Sequence, residues 1–251
     1  MRSKITLRKT TPAPIHYDYQ YGIASMLYNR LAHANIRLAN EMHSHQGFKF
    51  YTFSNLILGD WIPARHGLNF TTAHLILSSP DPEFIRSFTE GLLQQPEFYL
   101  RSIDKGKPRP NLSIERIEIL PKACIGEICE FKTVSPIYVK TQRLQDGVLR
   151  DVDLYPKEPK FYENLHVNLV ARYREYHGQD VDRDHFEVTS VKNIKAKRIK
   201  IADNYRRCSL MEFVVQGSPE LLEFAYEAGL GEKNAMGFGC LEVVNHGVNE
   251  N

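Results

Sequence analysis

The sequence predicts an α+β protein of two tandem ferredoxin-like (RNA-recognition-motif-like) domains, with antiparallel sheets that face a central cleft. Three observations support this fold class. The chain has 251 residues, long enough for two domains of roughly 100–130 residues each. With 42% hydrophobic and 25% charged residues, either half can bury its own core. The predicted elements follow the order strand, helix, strand, strand, helix, strand twice, although no repeat is visible in the sequence itself.

In the first half, apolar residues alternate with polar ones in segments that are predicted to be strands: residues 4–8, 50–58, 68–77 and 112–120. A turn is expected around residues 63–67. Apolar residues at helical spacing predict helix from residue 20 to about residue 42, broken near Ala34-Asn35. A second helix is predicted over residues 82–95. Asp81 stands at its N-cap position and Pro82 at its first helical position.

In the second half, the same patterns predict strands over residues 128–140 (interrupted at Ser135-Pro136), 186–201, 209–215 and 241–244, and helices over residues 161–176 and 220–228. Ser218 is the expected N-cap of the last helix, before Pro219. The boundary is expected within residues 121–127, which divides the chain into domains 1–122 and 123–251. The polar residues 246–251 are expected to fray.

Basic residues are concentrated in one predicted strand, although the net charge of the chain is only +2. They are Lys192, Lys195, Lys197, Arg198 and Lys200, and Arg206 and Arg207 follow. No acidic residue interrupts residues 192–201. A solvated sheet face usually mixes both signs of charge, so this pattern favours contact with phosphates. An ordinary solvated face is the alternative.

The remaining composition argues against several classes of protein. The four cysteines lack C-x2-C spacing, which argues against a structural zinc site and for reduced thiols in a cytoplasmic protein. No stretch of about 18 apolar residues could span a membrane. Residues 1–21 lack the apolar core of a signal peptide.

A glycine-rich segment, residues 229–239, has four glycines in eleven residues, with Lys233 and Asn234 between them. In nucleotide-binding glycine loops a strand precedes the loop and a helix follows it, whereas here the predicted helix comes first. ATP and NAD sites are therefore disfavoured. Two roles stay open. The segment could line a phosphodiester chain with its N–H groups and Lys233, or it could be a turn packed against the other domain.

The pattern G-x-G-E-K-N-x-x-G-F-G before a last apolar strand resembles the C-terminal signature of the CRISPR-associated repeat-RNA-processing endoribonucleases. These belong to the repeat-associated mysterious protein superfamily. The resemblance implies that the loop and the basic strand hold RNA. The implied contacts are Lys192, Lys195, Lys197, Arg198 and Lys200 in the strand and Gly231, Lys233, Asn234, Gly237 and Gly239 in the loop.

The family often carries a tyrosine on its first helix, a histidine at the end of the helical segment and a lysine shortly after. Tyr28, His43 and Lys49 match this pattern. His45, a second histidine, departs from it and leaves open which imidazole acts. Histidine, with an ordinary pKa of about 6.5, can serve as base or acid near neutrality, and lysine can stabilise a charged transition state. The resemblance implies RNA cleavage by the 2′-hydroxyl, without metal or cofactor.

Three rival interpretations remain. The chain could be a non-catalytic guide-RNA-binding subunit of a CRISPR effector complex, a metal-dependent hydrolase that uses His43 and His45, or an unrelated interaction scaffold. CRISPR repeat RNA is the partner that the resemblance implies, and no membrane partner is expected. An interference complex and a second copy of the chain are further partners that the sequence leaves open.

Overall fold

The first half of the chain contains nine strands and three helices among the residues that the structure describes. The structure is a computed structural model that describes residues 1–44, 46–101, 108–201 and 204–244, without the side chain of His43. The elements are β1 (Arg2–Lys9), β2 (Ile15–His16), α1 (Gln20–Ala34), α2 (Ile36–Ser44), β3 (Thr52–Phe53), β4 (Ile57–Leu58), β5 (Trp61–Ala64), β6 (Gly67–Phe70), β7 (Thr72–Ser78), α3 (Pro82–Gln94), β8 (Glu97–Tyr99) and β9 (Asn111–Leu120).

The second half contains two long paired strands, Phe186–Ile201 and Asn204–Gly217, and a short last strand. Its elements are β10 (Ile128–Thr133), β11 (Lys140–Gln145), β12 (Val148–Asp153), α4 (Pro159–His177), β13 (Phe186–Ile201), β14 (Asn204–Gly217), α5 (Pro219–Ala228), a 3-10 turn η1 (Asn234–Met236) and β15 (Leu241–Val243). The predicted frayed segment 246–251 lies outside the described residues.

The two main sheets have the same topology. The first has the strand order β3-β7-β1-β9-β8 and the second the order β13-β14-β10-β15. In each half the second, third, first and fourth strands of the ferredoxin-like unit lie side by side in that order, and neighbours pair antiparallel. The predicted α+β fold class with two ferredoxin-like units is therefore confirmed.

Each half has its own apolar core. Fully buried residues between Ile5 and Ile114 form the first cluster, and residues between Ile125 and Leu241 form the second. We propose that the domains divide between residues 122 and 123, because this point lies between the two clusters. The buried side chains of each cluster come from one half of the chain, and the partly buried Phe50, Ala235 and Met236 pack across the division.

The two sheets approach each other where Arg2 on β1 donates to the carbonyl oxygen of Leu241 on β15 at 2.6 Å. His74 on β7 of the first sheet senses the same strand. Burial, followed by the charge of Lys4 on β1, lowers the pKa of His74, whereas the charge of Glu242 on β15 raises it. Strand β15 of the second sheet thus lies close enough to the first sheet for its charge to change the pKa of His74. This proximity agrees with the expected arrangement of two sheets that face each other.

The helix ends follow from local side-chain chemistry. Asn35 ends α1, and its Oδ1 accepts a hydrogen bond of 3.0 Å from the N–H of Leu38 in α2, which explains the break between the two helices. Asp81 caps α3 by accepting from Glu83 N–H at 2.9 Å. Ser218 does stand at the N-cap position of α5, but its hydroxyl makes no capping hydrogen bond. The capping role predicted for that side chain is therefore wrong.

Several strands differ from the sequence prediction. The strand expected over residues 50–58 is only the two short strands β3 and β4, and the turn expected at 63–67 connects the paired strands β5 and β6. Hairpin β11–β12 was not predicted, because its exposed strands lack a continuous apolar face. The Asp146-Gly147 turn between them, with both φ angles positive, was the available signal.

None of the helices in the described part of the chain combines the length and the apolar character of a membrane-spanning segment.

Candidate active site and RNA-binding surface

The glycine-rich segment is a tightly folded loop. At Gly239 (φ +71°) a Cβ atom would lie 1.9 Å from the carbonyl oxygen of Leu230. At Gly237 (φ +84°) it would lie 2.5 Å from the ring of Phe53. Side chains are excluded at both positions by backbone conformation and by space, so the glycines are required by the packing of the loop itself.

Asn234 holds this loop together from inside. Its side chain is buried, and its amide donates to the carbonyl oxygens of Leu230 and Phe238, both at 3.1 Å. Of the predicted RNA contacts in the loop, Gly231, Asn234, Gly237 and Gly239 are buried, and Lys233 is exposed. The packing gives the buried positions a structural role. Their contact with RNA stays a prediction, and Lys233 is the loop residue best exposed to make one.

The loop packs against the first half of the chain. Thr52 Oγ1 donates to the carbonyl oxygen of Phe238 at 2.8 Å. Ala235 and Met236 pack against the first core, and the turn η1 contacts helix α1 and strand β3. Packing against the other domain was one of the two roles left open by the sequence. This packing brings the loop beside the helix that carries Tyr28 and the strand that follows Lys49.

Lys49 lies before β3, close to helices α2 and α4. Its ammonium donates to the carbonyl oxygen of Met42 near the end of α2. The preceding Phe48 N–H donates to Glu175 on α4 at 2.9 Å. Partial burial lowers the pKa of Lys49, and the charge of Glu175 opposes this shift by raising it. The net lowering means that this lysine gives up its proton more readily than an exposed lysine.

Tyr28 is connected to the same region through Tyr51. Tyr28 is half-buried on α1 and packs against the first core. Tyr51, two residues after Lys49, is buried and stacks on Phe84 with ring centroids 4.6 Å apart. Burial, and secondarily the nearby Tyr28, raises the pKa of Tyr51. The fold therefore brings Tyr28 close to Tyr51, two residues after Lys49. A joint role of Tyr28 and Lys49 in one site stays a prediction.

The two histidines are only partly described. His43 lies in the last turn of α2, one residue after Met42, whose carbonyl oxygen accepts from Lys49. The side chain of His43 and the whole of His45 lie outside the described residues. The geometry thus brings the backbone of His43 to the Lys49 ammonium.

Two residues of this region were missed by sequence reasoning. Arg172 on α4 is 1% exposed and donates to the carbonyl oxygens of Gly229 (2.6 Å) and Ala228 (2.7 Å), where the loop begins. It follows the apolar stripe Phe161–Leu165–Leu169 by three residues, so a charge on the buried face of a helix was the available signal. Glu175, which contacts Phe48, had no such signal because the contact joins distant parts of the chain.

The basic residues predicted to bind RNA lie on the edge strand β13. Lys195, Lys197 and Arg198 are exposed and Lys200 is half-buried. Among the described residues, none of these four forms an ion pair. Lys192 differs, because its ammonium lies 2.5 Å from Glu130, whose hydrogen bond and charge raise the pKa of Lys192. Its charge is therefore already compensated within the protein.

The distal part of β13 and β14 forms a basic hairpin face. In the register, Arg198 lies opposite Arg207 and Lys200 lies opposite Tyr205. The guanidinium of Arg198 is stacked 4.4 Å from the ring centre of Tyr205. Since residues directly opposite each other point to the same side of a sheet, these two arginines share one face.

Replacement of Arg198 by glutamine is expected to weaken binding of repeat RNA about fivefold, because one exposed charge that is predicted to bind phosphate is lost. The slope of log K against log salt should decrease with it. The matched control is Lys192→Gln, which should leave the slope unchanged because Glu130 already compensates that charge. Fluorescence anisotropy across a salt series measures both. Equal slopes for the wild type and the Arg198 variant would contradict the assignment.

Among the described residues, no three or more His, Cys, Asp or Glu side chains are grouped to hold a metal ion. The side chains of His43 and His45 are not among the described residues, so this finding does not extend to them. The metal-dependent interpretation therefore remains open to experiment.

Comparison with known proteins gives a consistent family. The family model described as "CRISPR-associated protein Cas6, N-terminal" matches residues 14–105, and the model "CRISPR associated protein Cas6, C-terminal" matches residues 120–243. The protein named CRISPR-associated endoribonuclease Cas6 1 of Methanocaldococcus jannaschii is 37% identical over 244 residues, which cover 96% of this chain and 92% of that protein. CRISPR-associated endoribonuclease Cas6 of Pyrococcus furiosus is 30% identical over 236 residues, covering 91% and 83%.

Solved structures agree with the sequence relatives. A structure titled "CRISPR associated protein Cas6" superimposes with a TM-score of 0.83 at 37% identity and covers 98% of this chain and 99% of its own. One titled "An RAMP protein binding different RNA substrates" gives a TM-score of 0.86 at 29% identity, covering 98% and 100%. The tandem ferredoxin-like fold with its docked glycine-rich loop thus defines a member of the repeat-associated mysterious protein superfamily. Within it, the chain belongs to the Cas6 family of CRISPR-associated proteins.

Proposed function

We propose that this protein is a metal-independent endoribonuclease that cleaves CRISPR precursor transcripts within their repeats. Its relatives in Methanocaldococcus jannaschii and Pyrococcus furiosus are named as CRISPR-associated endoribonucleases. The observation that carries the proposal for this chain is the hydrogen bond from the Lys49 ammonium to the carbonyl of Met42. It joins the predicted lysine to the helix end that bears the predicted histidine.

The proposed reaction is an internal transesterification. One imidazole, that of His43 or His45, removes the proton of the 2′-hydroxyl, and the 2′ oxygen attacks the adjacent phosphorus. The P–O bond to the 5′ oxygen of the next nucleotide breaks, and an acid protonates that oxygen. The products are a 2′,3′-cyclic phosphate and a 5′-hydroxyl. General acid–base help of this kind contributes roughly 10²–10⁴-fold to the rate.

Lys49 and Tyr28 have supporting roles in the proposed reaction. The Lys49 ammonium stabilises the additional negative charge on the pentacoordinate phosphorus. One acceptor of this ammonium is the neutral carbonyl of Met42, which the substrate phosphate can replace as a stronger, charged acceptor. Tyr28 is assigned to positioning by hydrogen bonding, because the ordinary pKa of tyrosine, about 10, makes it a poor base at neutrality.

The RNA is proposed to lie along the edge strand β13, where Lys195 and Lys197 point to one side of the sheet and Arg198 and Lys200 to the other, and to reach the glycine-rich loop. Lys195, Lys197, Arg198, Lys200 and Lys233 supply the charges for its phosphates. Arginine is suited to reading bases as well as phosphates, because its planar guanidinium donates several hydrogen bonds in a fixed geometry. The glycines hold the loop in the conformation that exposes Lys233.

A second candidate function is a non-catalytic guide-RNA-binding subunit. Relatives in Pyrococcus furiosus and Pyrococcus horikoshii, both 30% identical over 249 residues, have names that call them endoribonuclease-like. The similarity of this chain to these relatives supports the alternative. It predicts tight binding of repeat RNA without cleavage.

Replacement of Lys49 by methionine is expected to slow cleavage about 10²-fold, because the charged transition state loses an aligned cation. Lys49→Arg should retain most activity. If the ammonium must be charged, activity falls as the pH rises through the lowered pKa of Lys49. The arginine variant should move this alkaline limb upward, since arginine keeps its proton. Single-turnover rates from pH 6 to 10 test this, and an unshifted limb would contradict the role of Lys49.

The proposed function is tested by incubating the purified protein with labelled repeat RNA in excess EDTA. We expect cleavage at one position and fragments that carry 2′,3′-cyclic phosphate and 5′-hydroxyl ends. Loss of activity in EDTA, restored by added divalent metal, would instead support the metal-dependent rival. Tight binding with no cleavage under either condition would support the non-catalytic subunit.

A further inference from the structure

Hairpin β11–β12 begins where the glycine-rich loop and the basic hairpin meet. Asp153, at the base of this hairpin, accepts from the backbone N–H of Arg207 at 2.8 Å and from the hydroxyl of Tyr138 at 3.0 Å. Opposite it, Lys140 N–H donates to Glu232 of the loop at 3.3 Å. The base of the hairpin is therefore fixed to both elements of the proposed RNA-binding surface.

Two arginines of this hairpin lie directly opposite each other. Arg143 on β11 pairs with Arg150 on β12, three residues from the Lys140–Asp153 pair at the base. At about 3.4 Å per residue, the arginine pair stands roughly 10 Å from that base. Like charges directly opposite on one face destabilise a strand pair, and isolated two-stranded hairpins are already marginal. The pair thus carries an electrostatic cost, which the ion pair between Arg143 and Glu158 offsets in part.

The same arrangement occurs on the neighbouring basic hairpin, where Arg198 lies opposite Arg207. The two cross-strand arginine pairs belong to adjacent hairpins that are joined through Asp153 and Arg207. A polyanion in contact with both hairpins would relieve both repulsions. A single acidic side chain of a protein partner could relieve only one of them.

The charges on β11–β12 are accessible. Arg143 and Arg150 are both exposed. Arg143 forms an exposed ion pair with Glu158 at 3.2 Å. Among the described residues, the guanidinium of Arg150 has no hydrogen-bond or ion-pair partner. Lys140, by contrast, is paired with Asp151 at 2.7 Å. Arg150 is therefore the side chain of this hairpin most available to an external anion.

We propose that hairpin β11–β12 is a second RNA-backbone contact, in which Arg150, together with Arg143, binds phosphates of the RNA that lies on the β13–β14 hairpin. This inference rests on the proposed function, because it takes repeat RNA as the ligand. It extends the RNA-binding surface by roughly 10 Å beyond the glycine-rich loop. It also gives a function to a hairpin that contributes little to either core.

The test compares Arg150→Gln with Arg86→Gln, a control at an exposed arginine on helix α3. Binding of a repeat RNA with a 2′-deoxy substitution at its cleavage site is measured by anisotropy at several salt concentrations. The Arg150 variant is expected to bind about threefold to fivefold more weakly. Its slope of log K against log salt should fall by about 0.7–0.9, the contribution of one phosphate contact. Arg150→Lys should keep the wild-type slope.

The outcomes of this test distinguish a failure of the hairpin inference from a failure of the proposed function. If the wild type binds RNA with salt dependence and Arg150→Gln matches Arg86→Gln in affinity and slope, the hairpin inference is overturned and the proposed function stands. If the wild type shows no salt-dependent binding to the RNA, the proposed function fails and this inference fails with it. Circular dichroism of each variant shows whether the fold is retained.

Discussion

Replacement of His43 by alanine is expected to reduce the single-turnover cleavage rate about 10²–10⁴-fold, with RNA affinity essentially unchanged. The imidazole is assigned to proton transfer, and binding is assigned to the exposed charges of β13 and the loop. Removing an acid or base therefore changes the transition state and leaves the phosphate contacts in place. Single-turnover kinetics and anisotropy on the same preparation separate the two effects.

The matched control for this variant is His66→Ala, in the exposed turn between β5 and β6. It should cleave at the wild-type rate. His45→Ala then determines the contribution of the second imidazole. A smaller loss for His45 than for His43 would identify His43 as the main group, and the reverse order would exchange the roles. Wild-type rates for the His43, His45 and double variants would contradict the proposed chemistry.

Replacement of Gly239 by alanine is expected to lower the free energy of unfolding by about 3–5 kcal/mol. The positive φ angle of +71° strains a side-chain-bearing residue, and the added Cβ would overlap the carbonyl oxygen of Leu230 at 1.9 Å. That oxygen also accepts from Asn234 at 3.1 Å. Relief of the overlap therefore requires the loop to move away from its internal hydrogen bonds. Chemical denaturation monitored by circular dichroism measures the loss.

Gly147→Ala is the matched control for this prediction. Gly147 has a similar φ angle of +75° at the tip of hairpin β11–β12, but a Cβ atom added there would have no neighbouring atom within 4 Å. The substitution should cost only about 1 kcal/mol, from backbone strain alone. Equal losses for the two variants would show that the packing of the glycine-rich loop is not what makes Gly239 necessary.

Much of the fold was predictable because its elements are locally encoded. Helices α3 and α4 have amphipathic spacing with clear ends, and the order of strands and helices gives the ferredoxin-like topology in each half. Hairpin β11–β12 was missed because its residues are polar and exposed and carry no apolar alternation. Turn chemistry at Asp146-Gly147 was the better guide there.

The site was predictable in its residue types and less so in its contacts. The roles of Tyr28, His43 and Lys49 and of the glycine-rich segment were inferred from a resemblance to a known family. The contacts of Lys49 with Met42 and of Phe48 with Glu175 join elements that are far apart in the chain or at a helix end. Sequence periodicity carries no information on such pairs. Burial of Asn234 was also unpredictable, because asparagine between glycines usually indicates an exposed turn.

The measurement that tests the central claim most directly is cleavage, in EDTA, of repeat RNA with a single 2′-deoxy substitution at the nucleotide before the cut. Unmodified RNA of the same sequence is the control. Attack by the 2′-hydroxyl predicts that the control is cut at one position and that the substituted RNA is bound equally well and left intact at that position. Cleavage of the substituted RNA at the same position would contradict the account, because the nucleophile would then have to come from water or the protein.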